Sequence, residues 1–288
     1  MTDRRRINGP AGATYAPVYE DDLTTAPSSA RSRPANSTRK FFLRTGIAPA
    51  ASGSAYAEIE APRGVGSSEP QVSGMKLVCT VHGPKALPRS APFSPFLVLS
   101  SHVKYAPFAT HQRRGYLRDS TERDLSVHLE TALRGAIIAE RWPKSGVDVT
   151  VTILEGDQER RVSKNQGNDE WDMMNVLSGC ITVAAAALAD AGIDCVDMVT
   201  GGVAALVTSE GKGEPEVVLD PACSEHDSIL AACCVAYMPN RDEITNLWVK
   251  GQLPPSDAFL QTNLVGRAIA ASKGIHRVAV EELGKTPA

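Results

Sequence analysis

Alternating hydrophobic and polar positions predict a series of short strands along this chain. From Val147 to Ile153 every second residue is apolar, so this strand should bury one face and expose the other. The remaining apolar stretches are short and are separated by turns that contain glycine, proline or asparagine. The predicted strands cover residues 55–60, 76–82, 96–105, 147–153, 197–208, 216–219, 229–237 and 244–250.

Three further stretches have the pattern of helices. The first should begin at Ser120 or Thr121, either of which could cap its first turn, and it carries an apolar stripe from Leu125 to Ile137. The other two predicted helices cover residues 178–191, a run rich in small residues, and residues 257–283, with Ser256 as the cap. Strands and helices in this order predict an α+β domain whose helices pack against sheet.

Polar segments divide the chain into an arm and one domain. Residues 1–40 are rich in Pro, Ser, Thr and Ala and lack periodicity, which predicts a flexible basic arm. A docking role and no specific role are equally compatible with that pattern. Residues 41–288 should form a single domain that carries inserted loops at 61–74 and 155–172.

Composition limits the possible functions. The chain has 288 residues, 42% of them hydrophobic, which is ample for a packed core. A formal net charge of −3 excludes binding of nucleic acid through bulk positive charge, although a local patch remains possible. We expect an intracellular protein without a membrane span, because the N-terminus lacks a secretory signal and the apolar runs are short.

Residues that could hold a metal or a cofactor are scattered. The six cysteines form no Cys-x-x-Cys pair and the six histidines form no cluster with ligand spacing. Phosphate-binding loops of the Walker type, dinucleotide fingerprints and nucleophile elbows are also missing from the sequence. We therefore expect no metal and no cofactor.

Several stretches, taken together and in order, resemble the RNase PH family. Residues 54–58 and 76–84 resemble its opening hairpin, and residues 105–109, 113–114 and 122–126 resemble the segment that guides RNA. Residues 187–193 resemble its central helix and residues 218–221 its later sheet. The resemblance extends over about residues 41–283 and is strongest to the members that build the ring of the eukaryotic exosome.

This resemblance implies the RNase PH-like (ribosomal protein S5 domain 2-like) fold, with mixed sheets and helices. It implies a hetero-oligomeric ring of six RNase PH-like subunits, cap proteins with RNA-binding domains, and a channel for 3′–5′ processing and degradation of RNA, including rRNA. It also implies residence in the nucleus, including the nucleolus, and in the cytoplasm.

Active relatives cleave RNA ends by phosphorolysis, and the residues for that reaction do not match here. They hold phosphate in a Gly-Gly-Thr-Arg cradle at a helix N-terminus. Counting back from Asp190 puts this cradle at residues 174–178, where Leu177 takes the place of the arginine. The two family carboxylates should fall near His226 and Ala232, and residues 229–238 carry no charge.

We therefore predict that no residue is catalytic and that the chain is a structural subunit. One alternative is an active phosphate-dependent 3′–5′ exoribonuclease with a site rebuilt in the loop 155–172, where Arg160 or Arg161 could bind phosphate. The other is a protein that borrows the fold and does not act on RNA. The acidic residues Glu225 and Asp227 lie close to the first expected carboxylate position, but nothing acidic lies near the second, so a metal ion held there would bind weakly.

Basic residues around one strand–helix junction are the candidate RNA contacts. The resemblance implies this role most clearly for Arg113 and Arg114, and Lys104 and Arg118 lie close to them in the sequence. Arg118 could equally serve a subunit contact. Contacts of this kind reach phosphates, so they should be independent of sequence and weaken with salt.

Overall fold

The computed structural model describes residues 14–15, 31, 33–61, 74–109, 112–115, 117, 119–156, 169–209, 212–222, 225–226, 228–251 and 258–285. The strands within them are β1 (Thr14–Tyr15), β2 (Phe41–Thr45), β3 (Gly53–Ile59), β4 (Met75–Ala86), β5 (Val98–Tyr105), β6 (Gln112–Arg113), β7 (Ser145–Glu155), β8 (Thr200–Ser209), β9 (Lys212–Leu219), β10 (Ser228–Met238) and β11 (Glu243–Gly251). The helices are α1 (Ser120–Arg134), α2 (Asp169–Asp190) and α3 (Ala258–Leu283), with a short 3₁₀ turn at Ala139–Arg141.

Two larger sheets carry most of the strands. The first has the order β2-β3-β4-β7-β5, and its pairs are antiparallel except for β5 and β7, which run parallel. The second has the order β11-β10-β8-β9 and is antiparallel throughout. The two-residue strands β1 and β6 pair with each other, Thr14 opposite Arg113. Mixed sheets combined with helices confirm the predicted α+β class.

Helix α2 forms the centre of the molecule, because it packs on β3 and β4 of the first sheet and on β8 and β10 of the second. Helix α1 lies beside it against β5, and α3 covers the opposite face of the second sheet. At Gly201 an added Cβ would lie 2.4 Å from the Ser178 carbonyl oxygen of α2. At Gly202 it would lie 2.2 Å from the Ala268 carbonyl oxygen of α3. The two glycines of β8 therefore let both helices approach the strand at backbone distance.

The helix boundaries differ from the predicted ones for local reasons. The cap of α1 is Asp119, whose side chain accepts a hydrogen bond from the Ser120 N–H, and Glu122 completes a capping box. The prediction of Ser120 or Thr121 as the cap is therefore wrong by one or two residues. The helix ends at Arg134, so Ile137 is buried from the segment that follows the helix.

Helix α2 begins at Asp169, inside the stretch predicted as a loop at 155–172. Strand β2 was not predicted, because it has only five residues and follows the polar arm without a turn signal. The strands β3 and β4 form the expected hairpin, but residues 62–73 of its loop and the predicted cap Ser256 lie outside the described residues. The division of the chain at residue 40 stays a prediction.

One segment of α2 is long and apolar enough to span a membrane. It covers Met173–Asp190 with a mean hydropathy of 1.5, and 78% of it is buried inside the fold. The burial accounts for its apolar composition, because this segment is the helix that fills the space between the two sheets.

Candidate functional site

The predicted RNA-contact segment connects the end of β5 to the start of α1. The buried Glu122 carboxylate accepts hydrogen bonds from two backbone N–H groups, that of Tyr105 at 2.9 Å and that of Asp119 at 3.2 Å. One side chain thus ties the last residue of the strand to the cap of the helix. This buried carboxylate therefore holds the two ends of the segment that carries the basic residues.

Arg114 is held by groups of its own chain. Its guanidinium carbon lies 4.0 Å from the centre of the Tyr105 ring, and its Nη1 lies 3.8 Å from a carboxylate oxygen of Asp119. Its backbone N–H donates to the Pro107 carbonyl at 3.2 Å. Arg114 therefore closes the turn after β5 and has part of its charge already compensated.

The other predicted RNA contacts have different environments. Arg113 is exposed in β6, opposite Thr14 of the arm. Lys104 is half-buried, and because side chains alternate along a strand it points to the face opposite Tyr105. Arg118 lies outside the described residues. The structure thus brings Arg113 and Arg114 together on one segment and places Lys104 on the other face of β5.

Sequence reasoning missed one residue of this segment, Phe108. Its side chain is 74% exposed in the turn that Arg114 closes. The available signal is its position beyond the end of the predicted strand 96–105 and directly after Pro107, where no alternation assigns it to the core. An exposed ring on the same segment as Arg113 could stack on a nucleotide base.

The position expected for a phosphate cradle lies inside α2. Residues 174–178 come after the first turn of the helix, so their N–H groups are used for hydrogen bonds within the helix. Leu177 has no exposed surface, and Asn175 and Ser178 are also buried. This part of the helix offers an anion neither free amides nor a cationic side chain.

Among the described residues, the carboxylate beside the first expected acidic position is paired with arginines of the arm. Glu225 is buried and accepts from Arg33 at 2.9 Å and from Arg31 at 3.4 Å. Ala232 is buried in β10, and Asp227 lies outside the described residues.

Asp220 forms the centre of this arrangement. Its Oδ1 lies 2.8 Å from Nη2 of Arg39, and its Oδ2 accepts from Nε of Arg39 at 3.0 Å and from Nη1 of Arg33 at 2.9 Å. The backbone N–H of Arg39 donates to the same oxygen at 2.8 Å. We call the five residues Arg31, Arg33, Arg39, Asp220 and Glu225 the arginine clamp, because they fasten the end of the arm to the end of β9.

The charges of the arginine clamp shift two pKa values. Burial alone would raise the pKa of Asp220, but the charge and hydrogen bonds of Arg39 and the charge of Arg33 outweigh it and hold that pKa well below its usual range. Burial, with the neighbouring charge of Arg33, lowers the pKa of Arg31 to about 10. Both groups therefore stay ionised at neutral pH.

A cavity of about 20 Å³ lies between the arginine clamp and α2. Arg39, Asp220, Asn175 and Ser178 are among the residues that line it. The volume suits one water molecule. It is too small for a phosphate ion, and the guanidinium of Arg39, a residue of its lining, already binds the Asp220 carboxylate.

Sequence reasoning assigned Arg31, Arg33 and Arg39 to a flexible arm and missed the clamp. A signal did exist, since Arg31 and Arg33 are two residues apart and point to the same side of an extended chain. Their partners are about 190 residues away in the sequence, and no local pattern reveals such a pairing.

The described residues contain no group of three His, Cys, Asp or Glu side chains that could hold a metal ion. Burial raises the pKa of the Cys79, Cys180 and Cys234 thiols well above the usual range, so these cysteines remain protonated.

Comparisons with known proteins agree with this architecture. The sequence profile of RNase PH, described as "3′ exoribonuclease family, domain 1", matches residues 37–194. The chain is 65% identical over 288 residues to "Exosome complex component MTR3" of Chaetomium thermophilum, covering 99% of each chain. It is 30% identical over 243 residues to "Exosome complex component RRP41-like" of Arabidopsis thaliana, covering 84% of this chain and 79% of the relative.

The crystal structure of rice (Oryza sativa) Rrp46 has a similar fold, with a TM-score of 0.66 and 18% sequence identity. The match covers 88% of this chain and 99% of the rice chain. These findings confirm the predicted family and the predicted fold. The chain belongs to the RNase PH family of 3′ exoribonucleases and related proteins.

Proposed function

We propose that this chain is a non-catalytic structural subunit of the RNA exosome ring and contributes to the channel through which RNA passes. The observation that carries the proposal is the 65% identity, over 99% of both chains, to a protein named as an exosome complex component. Similarity over nearly the whole of both chains favours the same role over a borrowed fold with an unrelated function.

The environment of α2 supports the absence of phosphorolysis. An active site of this type needs a preorganised cation and free N–H groups that are aimed at phosphate. Leu177 is a core residue instead, and the amides around it are used within the helix. Asp220 and Glu225, the buried carboxylates closest to the expected acidic positions, are neutralised by arginines and are not available to a metal ion.

The RNA contacts that we propose are Arg113, Arg114, Lys104 and Arg118. Among the described residues, Arg113 is the most exposed of these cations and should contribute most to binding RNA phosphates. Phe108 adds an exposed ring on the same segment. Such contacts hold a single strand without reading its sequence, which suits a channel that must pass many RNAs.

The proposed partners are other RNase PH-like subunits in a hetero-oligomeric ring of six, and cap proteins with RNA-binding domains. The proposed location is the nucleus, including the nucleolus, and the cytoplasm. The similarity to proteins named as exosome complex components supports partnership with other subunits of that complex.

Reversing the charge of Arg113 in the assembled ring should weaken the binding of single-stranded RNA about tenfold at low salt. The slope of the logarithm of the binding constant against the logarithm of the salt concentration should become shallower by about one. Arg113→Glu combined with Arg114→Glu should weaken it further. Fluorescence anisotropy with an unstructured RNA at several salt concentrations measures both quantities. Arg134→Glu is the matched control, because Arg134 is an exposed cation on α1 outside this segment. RNA binding and threading equal to the parent in the double variant would refute the channel role.

A further inference from the structure

Strand β1 lies in the arm and pairs with the segment that carries the proposed RNA contacts. The pair is antiparallel, with Thr14 opposite Arg113 and Tyr15 opposite Gln112. Among the described residues, β1 and β6 form a sheet of their own and pair with no further strand. The pairing therefore joins the arm directly to the segment between β5 and α1.

The ends of this segment are held by the rest of the fold. Near β5, the Gly156 N–H donates to the Ala109 carbonyl at 2.9 Å. Near α1, the Glu122 carboxylate accepts from the Asp119 N–H at 3.2 Å. Both hydrogen bonds come from elements of the domain itself. Arg113 lies between these two fixed points, where β1 of the arm is its pairing partner.

The backbone next to Arg113 has little stiffness of its own. Gly115 comes two residues later and is exposed, and nothing lies within 4 Å of the place that a Cβ would occupy. A glycine loses more conformational freedom than any other residue when its backbone is fixed. The pairing with β1 therefore restrains a stretch to which the local sequence leaves much freedom.

Pairing with β1 does not cover the cation. Arg113 is exposed although its backbone belongs to the small sheet. Strands pair through their backbone N–H and C=O groups, so the side chains remain available to a ligand. Arg114 differs, because its guanidinium carbon lies 4.0 Å from the centre of the Tyr105 ring of its own chain. Arg113 thus combines a restrained backbone with an accessible side chain.

We infer that β1 is a positioning strand, which orders β6 through backbone pairing and thereby presents Arg113 to the phosphates of single-stranded RNA. The inference deepens the proposed function and rests on it. A segment that is already restrained loses less conformational entropy on binding than a free one, so the pairing strengthens binding without a new contact to the RNA. An arm that blocked RNA would instead cover Arg113, which is exposed.

The test compares arms of equal charge in the assembled ring. Thr14→Pro combined with Tyr15→Pro removes the N–H groups of β1. It retains every charged residue of the arm, including residues 4–6, three arginines that could themselves attract RNA. The affinity for an unstructured RNA, measured by fluorescence anisotropy, should fall about fivefold. The amides of β6 should exchange hydrogen about fivefold faster than in the parent.

Thr14→Val combined with Tyr15→Phe is the conservative variant, because both replacements favour strands and keep the backbone donors. It should bind RNA within about twofold of the parent. A double-mutant cycle separates positioning from a general loss of structure. In a ring that already carries Arg113→Ala, the two prolines should change the affinity by less than about twofold, because no cation is left to position.

The remaining outcomes would each overturn the inference. Equal losses with and without Arg113→Ala would show that the prolines act through another part of the ring. Tighter binding by the proline variant would show that β1 competes with RNA, and unchanged binding would show that the pairing positions nothing. These three results would leave the proposed function intact. RNA binding by Arg113→Ala that equals the parent would overturn the proposed contact at Arg113 and this inference together.

Discussion

Asp220→Asn should lower the free energy of unfolding by about 3–5 kcal/mol. The substitution keeps the shape of the side chain and removes the negative charge that faces Arg33 and Arg39. Only Glu225 would then compensate three guanidinium groups that are largely removed from water. Breaking a buried ion pair by removing one partner is costly because the remaining charge loses both water and its counter-ion.

Urea unfolding followed by circular dichroism measures this loss. Asp148→Asn is the matched control, because Asp148 forms an ion pair with Lys85 in which both side chains are substantially exposed. The control should change the free energy of unfolding by less than about 1 kcal/mol. Equal losses for the two variants would mean that the arginine clamp is no more than a surface contact.

The same carboxylate makes the arginine clamp sensitive to acid. Despite the opposing effect of burial, Arg39 and Arg33 hold the pKa of Asp220 below its unfolded value of about 4. A depressed pKa in the folded state contributes stability that is fully present above about pH 4 and is lost as the pH falls further. The difference in stability between the parent and Asp220→Asn should therefore be constant from pH 7 to about pH 5 and shrink below pH 4.

Leu177→Arg should prevent stable folding, although it restores the residue type that active relatives carry in the cradle. Leu177 is fully buried in α2, which packs between the two sheets. An arginine there would bury an unpaired charge and overfill a packed core, at a cost above about 4 kcal/mol. Soluble yield and urea unfolding measure the effect.

Leu177→Met is the companion variant, since it conserves volume and should cost less than about 1.5 kcal/mol. A folded Leu177→Arg chain that binds inorganic phosphate would show that this position faces a cradle after all. Loss of folding in both variants would contradict the expectation that a side chain of conserved volume is tolerated at this position.

Local patterns were sufficient to predict most of the strands and the family. The alternation from Val147 to Ile153 corresponds to β7, and the apolar run from Ile229 to Tyr237 corresponds to β10. Strand β7 alternates because it buries mainly one set of side chains, whereas β10 is covered by α2 on one face and by α3 on the other and therefore reads as a continuous apolar run. The observed cap of α1 differs from the predicted one because Asp119, Ser120 and Thr121 are all good capping residues. The hydrogen bond that Glu122 accepts from the Asp119 N–H decides among them.

Features that depend on distant pairing could not be predicted. The arginine clamp joins residues 31–39 to residues 220–225. The polar composition of the first segment predicts a flexible arm, because it contains no sign of these distant partners. The exposed side chains of Ile244, Leu247 and Val249 lie on one face of β11 only because the strand register shifts at Thr245, and strict alternation does not reveal that shift. The role of Arg114 in closing the turn after β5 likewise requires the position of the Tyr105 ring.

The most direct test of the central claim is phosphate-dependent release of nucleoside diphosphates from a 3′-tailed RNA by the purified chain. An active phosphorolytic member of the family serves as the positive control. We expect no release above a reaction without protein, because the cradle position is buried in the core and the buried carboxylates are paired with arginines. Release that requires inorganic phosphate and is abolished by Asp227→Ala or Arg160→Ala would contradict it.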